Sequence, residues 1–178
     1  TPGCFDRGGI SRYCRYQLKA ISQNKDNNLI VYSLFGRNYN FSEDLPYKIF
    51  TSSRGKPSKL NKLSFSMKFL IDFLKQKPNT VFLCHLNFIK LAPILKLINP
   101  KSKIFLNIYG LEVWSSNKII SRFLVRFIDL IISDCENTKN YFALNISDKI
   151  FIKRIWDCAD QEIFKPTKKK FINYKGKY

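Results

Sequence analysis

Residues 103–114, with the sequence KIFLNIYGLEVW, constrain the fold more than any other part of the chain. Their first half is apolar almost without alternation, and Asn107 is the one polar residue inside the run. Such a run is typical of a strand covered on both faces, as in a parallel sheet between helices. The run stops at Gly110, and Glu112 and Trp114 follow. This turn is either a functional loop beyond the carboxyl end of a strand or a plain turn with the indole packed beneath it.

Other short apolar runs alternate with segments of helical periodicity along the chain. Predicted strands cover residues 29–35, 47–51, 80–86, 104–109, 129–133 and 149–155. Predicted helices cover residues 10–21, 59–76, 88–98, 118–127 and 136–144. Strands that alternate with helices indicate an α/β fold, here a Rossmann-like open parallel sheet with helices on both faces.

Gly8 and Gly9 stand directly before the first predicted helix. A glycine pair at a helix start lets backbone N–H groups approach an anion closely, and the helix dipole adds to the attraction. A strand–glycine–helix unit needs a strand before the glycines, and the polar, glycine-bearing residues 1–7 do not supply one. We therefore expect that the sequence begins a few residues after the start of that unit.

The net charge of +18 raises the question of nucleic-acid binding. The lysines are spread over the whole chain, however, and the aromatic residues fall at core-like positions, so nucleic acid is not expected as a partner. Basic residues concentrate in the helix at 59–77 and in the tail at 165–177. Each segment is either a contact for anionic lipid headgroups or a solvated basic surface.

The five cysteines are scattered and form no C-x-x-C pair, which argues against a zinc site and a disulfide framework. Cys84 adjoins His85, but no further ligands cluster nearby, so we expect no metal. No apolar run approaches the ~20 residues that span a bilayer, and the amino terminus does not resemble a secretory signal. The predicted location is the cytoplasm, with peripheral association to the inner face of the membrane as an extension of this prediction.

His85 is the only histidine, and it ends a predicted strand. At that position its ring shares a crevice with the Gly8 and Gly9 loop and with the turn from Gly110 to Glu112. A lone histidine is often purely structural, and this one is about as well explained by a hydrogen bond to a phosphate or a sugar hydroxyl. The sequence contains no G-x-S-x-G motif, no Walker A motif and no complete G-x-G-x-x-G motif.

Four segments together resemble the amino-terminal domain of family 4 glycosyltransferases, the retaining group with the two-domain GT-B fold. They are FDRGGISRYCRYQLKAI, HLNFIKLAPILKLINPKSKIFLNIYGLEVW, DLIISDCENTKNYF and KIFIKRIWDCADQEIFKPT, which cover nearly all of the chain in the family's order. The first is similar to the family's glycine loop and first helix. The second is similar to its strand with a following histidine and its HG-x-E-x-W segment.

The chain departs from the family pattern at two places. Tyr109 stands where many members have histidine, so a substrate contact by that imidazole is lost or passes to the phenol. Trp156, Asp157 and Cys158 replace the usual Pro-Asn-Gly, although Asp160 and Phe164 of the closing motif are present.

The resemblance implies that residues 1–164 are the acceptor-side, Rossmann-like half of such an enzyme and that residues 165–178 are a basic linker toward a donor-binding domain. Alone, this half would be inactive. It implies no cofactor beyond a nucleotide-sugar co-substrate, and a glycan or lipid-linked acceptor. It implies the following roles: His85 as the catalytic residue; Gly8 and Gly9 beside the donor diphosphate; and Arg12, Asn87, Gly110, Glu112 and Trp114 around the acceptor.

Two alternatives remain open on sequence. An inverting GT-B glycosyltransferase would need a base in this same domain, and His85 is the candidate. A basic α/β module that binds nucleic acid or anionic lipid would need no catalytic group at all.

Overall fold

The computed structural model describes residues 1–4, 8–34, 36, 47–51 and 58–156. The strands are β1 (Ile30–Ser33), β2 (Lys48–Thr51), β3 (Thr80–Leu83), β4 (Lys103–Ile108), β5 (Leu130–Ser133) and β6 (Ile152–Arg154). The α-helices are α1 (Gly9–Ser22), α2 (Lys59–Gln76), α3 (Ala92–Ile98), α4 (Gly110–Trp114), α5 (Lys118–Leu124) and α6 (Glu136–Asn145). Short 3₁₀ segments at Leu86–Leu91 and Val125–Phe127 precede α3 and follow α5.

All strand pairs among these residues are parallel, and the fold is a Rossmann-like open α/β fold, as the sequence predicts. The strands form two sheets rather than one. β1 pairs with β2, and the other four strands lie in the order β3-β4-β5-β6. Within the larger sheet Leu83 lies opposite Leu106, and Leu106 lies opposite Ile131.

The two faces of β4 pack against different parts of the molecule. Ile104, Leu106 and Ile108 are fully buried on one face, in the main core with residues of α2, α3, α5 and α6. Asn107 points to the opposite face, because side chains alternate along a strand. There its amide Nδ2 donates to Gln17 of α1 at 2.6 Å. Helices therefore cover both faces, as predicted, and in the described residues α1 is the helix seen on the Asn107 face.

The sequence prediction for α2 is right in its bounds but wrong about which residues it buries. The sequence predicts an apolar stripe that consists of Leu60, Leu63, Phe65, Met67, Leu70, Ile71 and Leu74. Of these only Phe65 is buried, Phe73 is buried in addition, and most of the stripe points to solvent. The exposed residues are Leu60, Leu63, Met67, Ile71 and Leu74. The reason is that the helix carries two apolar faces, and the aromatic face fills the core.

Other boundaries differ by a few residues. β3 ends at Leu83 and not at residue 86, because the chain turns into the 3₁₀ segment that His85 caps. The predicted loop at Gly110 is the short helix α4. Predictions that concern residues 5–7, 35, 37–46, 52–57 and 157–178 lie outside the described residues, including Asp160, Phe164 and the basic tail. Among the residues described, no helix has the length and apolar character needed to cross a membrane.

The first residue extends the small sheet. The Thr1 ammonium nitrogen donates to the Tyr32 carbonyl at 2.9 Å, and the Leu34 N–H donates to the Thr1 carbonyl at 3.1 Å. These two bonds are the pattern of a parallel ladder with Thr1 opposite Ser33. The chain therefore enters Gly8 and Gly9 from a strand-like position, which the sequence prediction missed.

Candidate functional site

His85 lies at the carboxyl end of β3 and begins the 3₁₀ segment that follows. Its Nδ1 accepts a hydrogen bond from the Asn87 backbone N–H at 3.1 Å. The imidazole therefore caps the segment, as an Asn or Asp side chain commonly caps a helix. With Nδ1 occupied as an acceptor, a neutral ring carries its proton on Nε2, so Nε2–H is left as a donor.

The surroundings of His85 keep that ring neutral. Burial lowers the pKa of His85 below its usual 6.5, and the positive amino terminus lowers it further, while the Glu112 carboxylate opposes both effects. At neutral pH the ring is thus an uncharged donor that is held in one tautomer. An uncharged donor suits a phosphate oxygen or a sugar hydroxyl, because neither needs a proton from it.

Tyr109 joins His85 to the first helix. Its ring lies 6.5 Å from the His85 ring centre and meets the Tyr13 ring of α1 edge-on at 5.9 Å. The phenol is buried 3.9 Å from the Cys14 thiol, and Asn107 Nδ2 lies 3.5 Å from it. Because Tyr109 faces this packed interior, a substrate contact by its phenol, one of the two outcomes expected from the family pattern, has no support here.

Glu112 and Trp114 have local roles in α4. Glu112 Oε1 accepts the Tyr109 backbone N–H at 2.6 Å and so caps the start of the helix. The Trp114 indole lies across Gly110, where a Cβ would come within 3.0 Å of the ring. A glycine is needed there for that close approach. The alternative of a plain turn with the indole packed on it is therefore confirmed for Gly110, about half of the indole remains exposed, and the functional role of the turn stays a prediction.

Gly8 and Gly9 form an open helix start. Gly8 has φ 137°, a conformation that side chains other than hydrogen rarely adopt, and Gly9 opens α1. Gly8, the residue at the cap position, has no side chain that could cap this end, and a Cβ at either glycine would meet no atom within 4 Å among the described residues. The first helical bond runs from the Arg12 N–H to the Gly8 carbonyl, so the N–H groups before Arg12 have no intrahelical acceptor. The arrangement fits the predicted anion contact.

The structure brings some of the predicted site residues together and leaves others apart. His85, Asn87 and Glu112 are joined by the cap and by the charge of the carboxylate. The aromatic pair of Tyr13 and Tyr109 links this group to α1, which starts at the glycines. The Asn87 and Arg12 side chains are exposed.

Asp134 is a rim residue that the sequence prediction missed. It follows β5 directly, and β5 lies between β4 and β6 in the sheet. Its buried Oδ1 has no hydrogen-bond partner among the described residues, and the same is true of Asn107 Oδ1. A buried, unpaired carboxylate oxygen is costly unless something satisfies it. The sequence could have indicated Asp134, because it directly follows an apolar strand, and the same criterion identified His85 as a candidate.

Cys4, Cys14 and Cys84 lie beneath this rim. The hydrogen bond from Cys84 lowers the pKa of Cys14 to about 6 despite burial, and the same bond and burial raise the pKa of Cys84. Burial raises the pKa of Cys4 to about 12. Within the described part of the chain no group of three or more His, Cys, Asp or Glu side chains can hold a metal ion.

At the carboxyl rim of the larger sheet the chain thus presents one Nε2–H donor, from His85, and two carboxylates, from Glu112 and Asp134. Tyr109 links this rim to α1, which starts at Gly9. Donors of this kind bind phosphate and hydroxyl oxygens, and carboxylates accept from sugar hydroxyls. The site defines an α/β protein with a polar rim. No protein-family model matches the chain, and no curated protein matches it either.

Proposed function

We propose that this domain is the acceptor-side half of a retaining glycosyltransferase, which transfers a sugar from a nucleotide-sugar donor to a glycan or lipid-linked acceptor. The observation that carries the proposal is the neutral, cap-oriented His85 on the same rim as the end of β4, linked through Tyr109 to the helix that Gly8 and Gly9 open. The family resemblance supplies the reaction type. The donor-binding half, and with it activity, would come from a second domain.

In this proposal the donor diphosphate lies at the backbone N–H groups between Gly8 and Arg12, which have no acceptor within the helix, and the helix dipole adds attraction for negative charge. His85 Nε2–H donates to the donor sugar or to the attacking hydroxyl. Arg12, Asn87, Gly110, Glu112 and Trp114 shape the acceptor pocket, the half-exposed indole offering a flat apolar face to a sugar ring. No protein nucleophile is assigned, because the leaving diphosphate takes the acceptor proton.

The geometry of His85 favours a retaining over an inverting reaction. An inverting enzyme needs a general base within reach of the acceptor hydroxyl. In His85 the Nδ1 lone pair already accepts the Asn87 N–H, so the free edge of the ring is a donor and not a base. An inverting mechanism that uses His85 as its base would require that cap to break.

The test is sugar transfer by a polypeptide that contains this domain together with its donor-binding half. His85→Ala and His85→Asn should both lower kcat by about hundredfold, because each removes Nε2–H from the transition state. His85→Asn keeps an acceptor for the Asn87 N–H and so reports on the donor alone. Leu97→Ser, at an exposed leucine of α3, is the matched control. Unchanged turnover in His85→Asn would contradict the assignment.

A contact with an anionic membrane is a second proposal, and the solvent-facing stripe of α2 supports it. Five apolar side chains line one side of that helix, opposite its buried Phe65 and Phe73. At 100° per residue, Lys59 lies on one flank of the stripe, and Lys68 and Lys75 lie on the other. An apolar stripe with lysines on both sides is typical of helices that lie in a lipid headgroup region. The exposed residues are Leu60, Leu63, Met67, Ile71 and Leu74.

Vesicle sedimentation separates this contact from a solvated surface. The chain should bind vesicles that contain phosphatidylserine and should dissociate as salt rises, since each lysine near such a surface contributes on the order of 1 kcal/mol. Leu63→Ser with Met67→Ser should weaken binding by more than about tenfold, and Leu97→Ser should not. Equal binding by the double variant would overturn the assignment to α2. Tight, salt-sensitive binding of nucleic acid would instead favour the binding-module alternative.

A further inference from the structure

Three cysteines that the proposed function does not use lie together beneath the rim. Cys4 and Cys14 are both buried, and Cys84 packs against them. Cys14 belongs to α1, and Cys84 directly follows β3. The contact of Cys14 with Cys84 therefore joins the first helix to the strand end that carries His85.

The surroundings of Cys14 favour its thiolate. Cys84 donates a hydrogen bond to the Cys14 sulfur, the Thr1 hydroxyl donates to it at 3.6 Å, and the Tyr109 phenol lies 3.9 Å from it. These donors stabilise a negative sulfur, and with the Cys84 bond as the largest contribution they lower the pKa of Cys14 to about 6, although burial opposes them. Cys14 is therefore ionised at neutral pH, which is the state in which a cysteine is nucleophilic.

Cys84 has the opposite character. Its thiol keeps its proton, because the bond to Cys14 and burial both raise the pKa of Cys84. Its side chain is half-buried, whereas that of Cys14 is buried, and both residues line the open cavity between the two sheets. A solute as small as hydrogen peroxide can therefore reach the pair from solvent. A thiolate beside a second, partly exposed thiol is the arrangement of redox-sensitive cysteines with a resolving partner.

We propose that Cys14 and Cys84 are a site of reversible oxidation, at which a hydroperoxide converts the two thiols into a disulfide. Cytosolic disulfides are commonly transient and redox-sensing, so one such bond agrees with scattered cysteines that form no disulfide framework. The inference does not rest on the proposed function, because it concerns only the two sulfur atoms and the elements that hold them.

The reaction has two steps. The Cys14 thiolate attacks one oxygen of the peroxide, the O–O bond breaks, and the hydroxide that leaves takes a proton from solvent to become water. Cys14 is then a sulfenic acid. The Cys84 sulfur attacks the Cys14 sulfur, the S–S bond forms, and the S–O bond breaks. The departing hydroxide takes the Cys84 proton and becomes a second water, so that the two sulfur atoms have supplied the two electrons that reduce the peroxide.

The disulfide would fasten α1 to the residue that directly precedes His85. In the reduced chain these two elements are held at this point by hydrogen bonds and packing. Oxidation would replace those contacts by a covalent bond and remove the negative charge that the Tyr109 phenol meets. A reductant would restore the first state.

The test maps the disulfide in the full chain. The reduced protein, freed of reductant, is treated with an equal amount of hydrogen peroxide at pH 7.5, the remaining thiols are blocked, and an unreduced digest is analysed by mass spectrometry. We expect a monomer that has lost two hydrogen atoms, in which the peptide with Cys14 is linked to the peptide with Cys84. Dithiothreitol should restore both thiols. Because this mapping uses the parent chain, it does not depend on the folding of a variant.

Three variants divide the reaction into its steps. Cys84→Ser should form no disulfide and should leave a sulfenic acid at Cys14 that dimedone traps. Cys14→Ser should slow the loss of thiols by about tenfold, because only about a tenth of an ordinary cysteine is ionised at this pH. Cys135→Ser is the matched control, since Cys135 lies beside Thr138 at the start of α6, and it should leave the link and its rate unchanged.

Two results would overturn the proposal. A link that joins Cys14 to Cys4, or one that includes Cys135 or Cys158, would show that Cys84 is not the partner. Survival of all five thiols, or disulfides found only between two copies of the chain, would show that the pair is not an oxidation site.

Discussion

At the scale of single residues, His85 uses its two ring nitrogens differently. Nδ1 holds the 3₁₀ segment after β3 through the Asn87 N–H, and Nε2 is directed elsewhere. On sequence alone, neither a structural nor a functional role for His85 was preferred. The two roles are compatible, because Nδ1 serves the first and Nε2 is available for the second. A substitution can separate the structural role from the functional role only if it keeps the hydrogen bond made by one ring nitrogen and removes the hydrogen bond made by the other.

His85→Asn and His85→Ala should differ in stability. Asparagine keeps an oxygen that can accept the Asn87 N–H, and alanine does not. We expect His85→Ala to lower the free energy of unfolding by about 1 kcal/mol relative to His85→Asn, the usual effect of losing a helix cap. Urea denaturation at pH 7.5 measures the difference. Equal stabilities would show that the cap contributes nothing.

The titration of His85 gives a pH prediction. Its pKa in the folded chain lies below 6.5, chiefly because of burial, so the unfolded chain binds the proton first as the pH falls. This group should leave stability unchanged above pH 6.5 and reduce it as the pH drops below that value toward the folded pKa. NMR can follow the imidazole without assignment, since the chain has one histidine. Glu112→Gln should lower the pKa further, because the carboxylate raises it.

At the scale of elements, the start of α1 separates two glycines that look alike in the sequence. Gly8→Ala should destabilise the chain by about 1–3 kcal/mol, because φ 137° is a strained conformation for alanine. Gly9→Ala should be neutral or stabilising by up to about 1 kcal/mol, because Gly9 is helical and its Cβ would meet open space. Thermal unfolding of the two variants checks the contrast, and the reverse order would contradict the described helix start.

The order of strands and helices was predictable, because the hydrophobic periodicity and the residue composition of most segments indicated the same type of secondary structure. α2 has the predicted bounds, Lys59–Gln76, since Ser58 caps its start and Pro78 follows its end. β4 was predictable for the same reason: an apolar run of six residues has few alternatives. The burial of α2 was not predictable, because Leu63 and Phe65 are equally apolar and only the tertiary packing selects Phe65.

Much of the candidate site could be located from the sequence, and its chemistry could not. The rule that polar residues after parallel strands share one rim placed His85 and Glu112 correctly at strand ends. Three features depend on interatomic distances that the spacing of residues in the sequence does not determine. They are the tautomer of His85, the cap made by Glu112 and the unpaired oxygen of Asp134. The strand-like position of Thr1 was not predicted, because a single residue cannot show the hydrophobic periodicity by which a strand is recognised.

At the scale of the whole molecule, Asp129 ties three elements of the larger sheet together. Its carboxylate accepts from Lys96 of α3 at 2.7 Å and from the Ile104 N–H of β4 at 2.8 Å. Burial alone would raise its pKa, but these two bonds outweigh burial and hold the pKa below 3.8. The stability that Asp129 contributes is therefore present above pH 3.8 and is lost as the pH falls through the lower folded value.

Asp129→Asn should lower the free energy of unfolding at pH 7 by about 1–2 kcal/mol, because the bond from Lys96 loses its charge. The variant should also lose less stability than the parent between pH 4 and about pH 2. Asp26→Asn, at an exposed turn, is the control and should change neither quantity. Parallel pH curves for Asp129→Asn and the parent would show that the network does not titrate.

Tyr13 of α1 reaches across the molecule to the end of the last described strand, where its hydroxyl donates to the Ile155 carbonyl at 3.3 Å. The glycine-bearing start of α1 is thereby fastened to a backbone 142 residues away along the chain. A force on the chain after Ile155 is therefore shared between α1 and β5, because the Ile155 N–H also donates to the Ser133 carbonyl at 2.9 Å. The segment that follows β6 is therefore mechanically coupled, through Tyr13, to the helix that begins at the glycine pair.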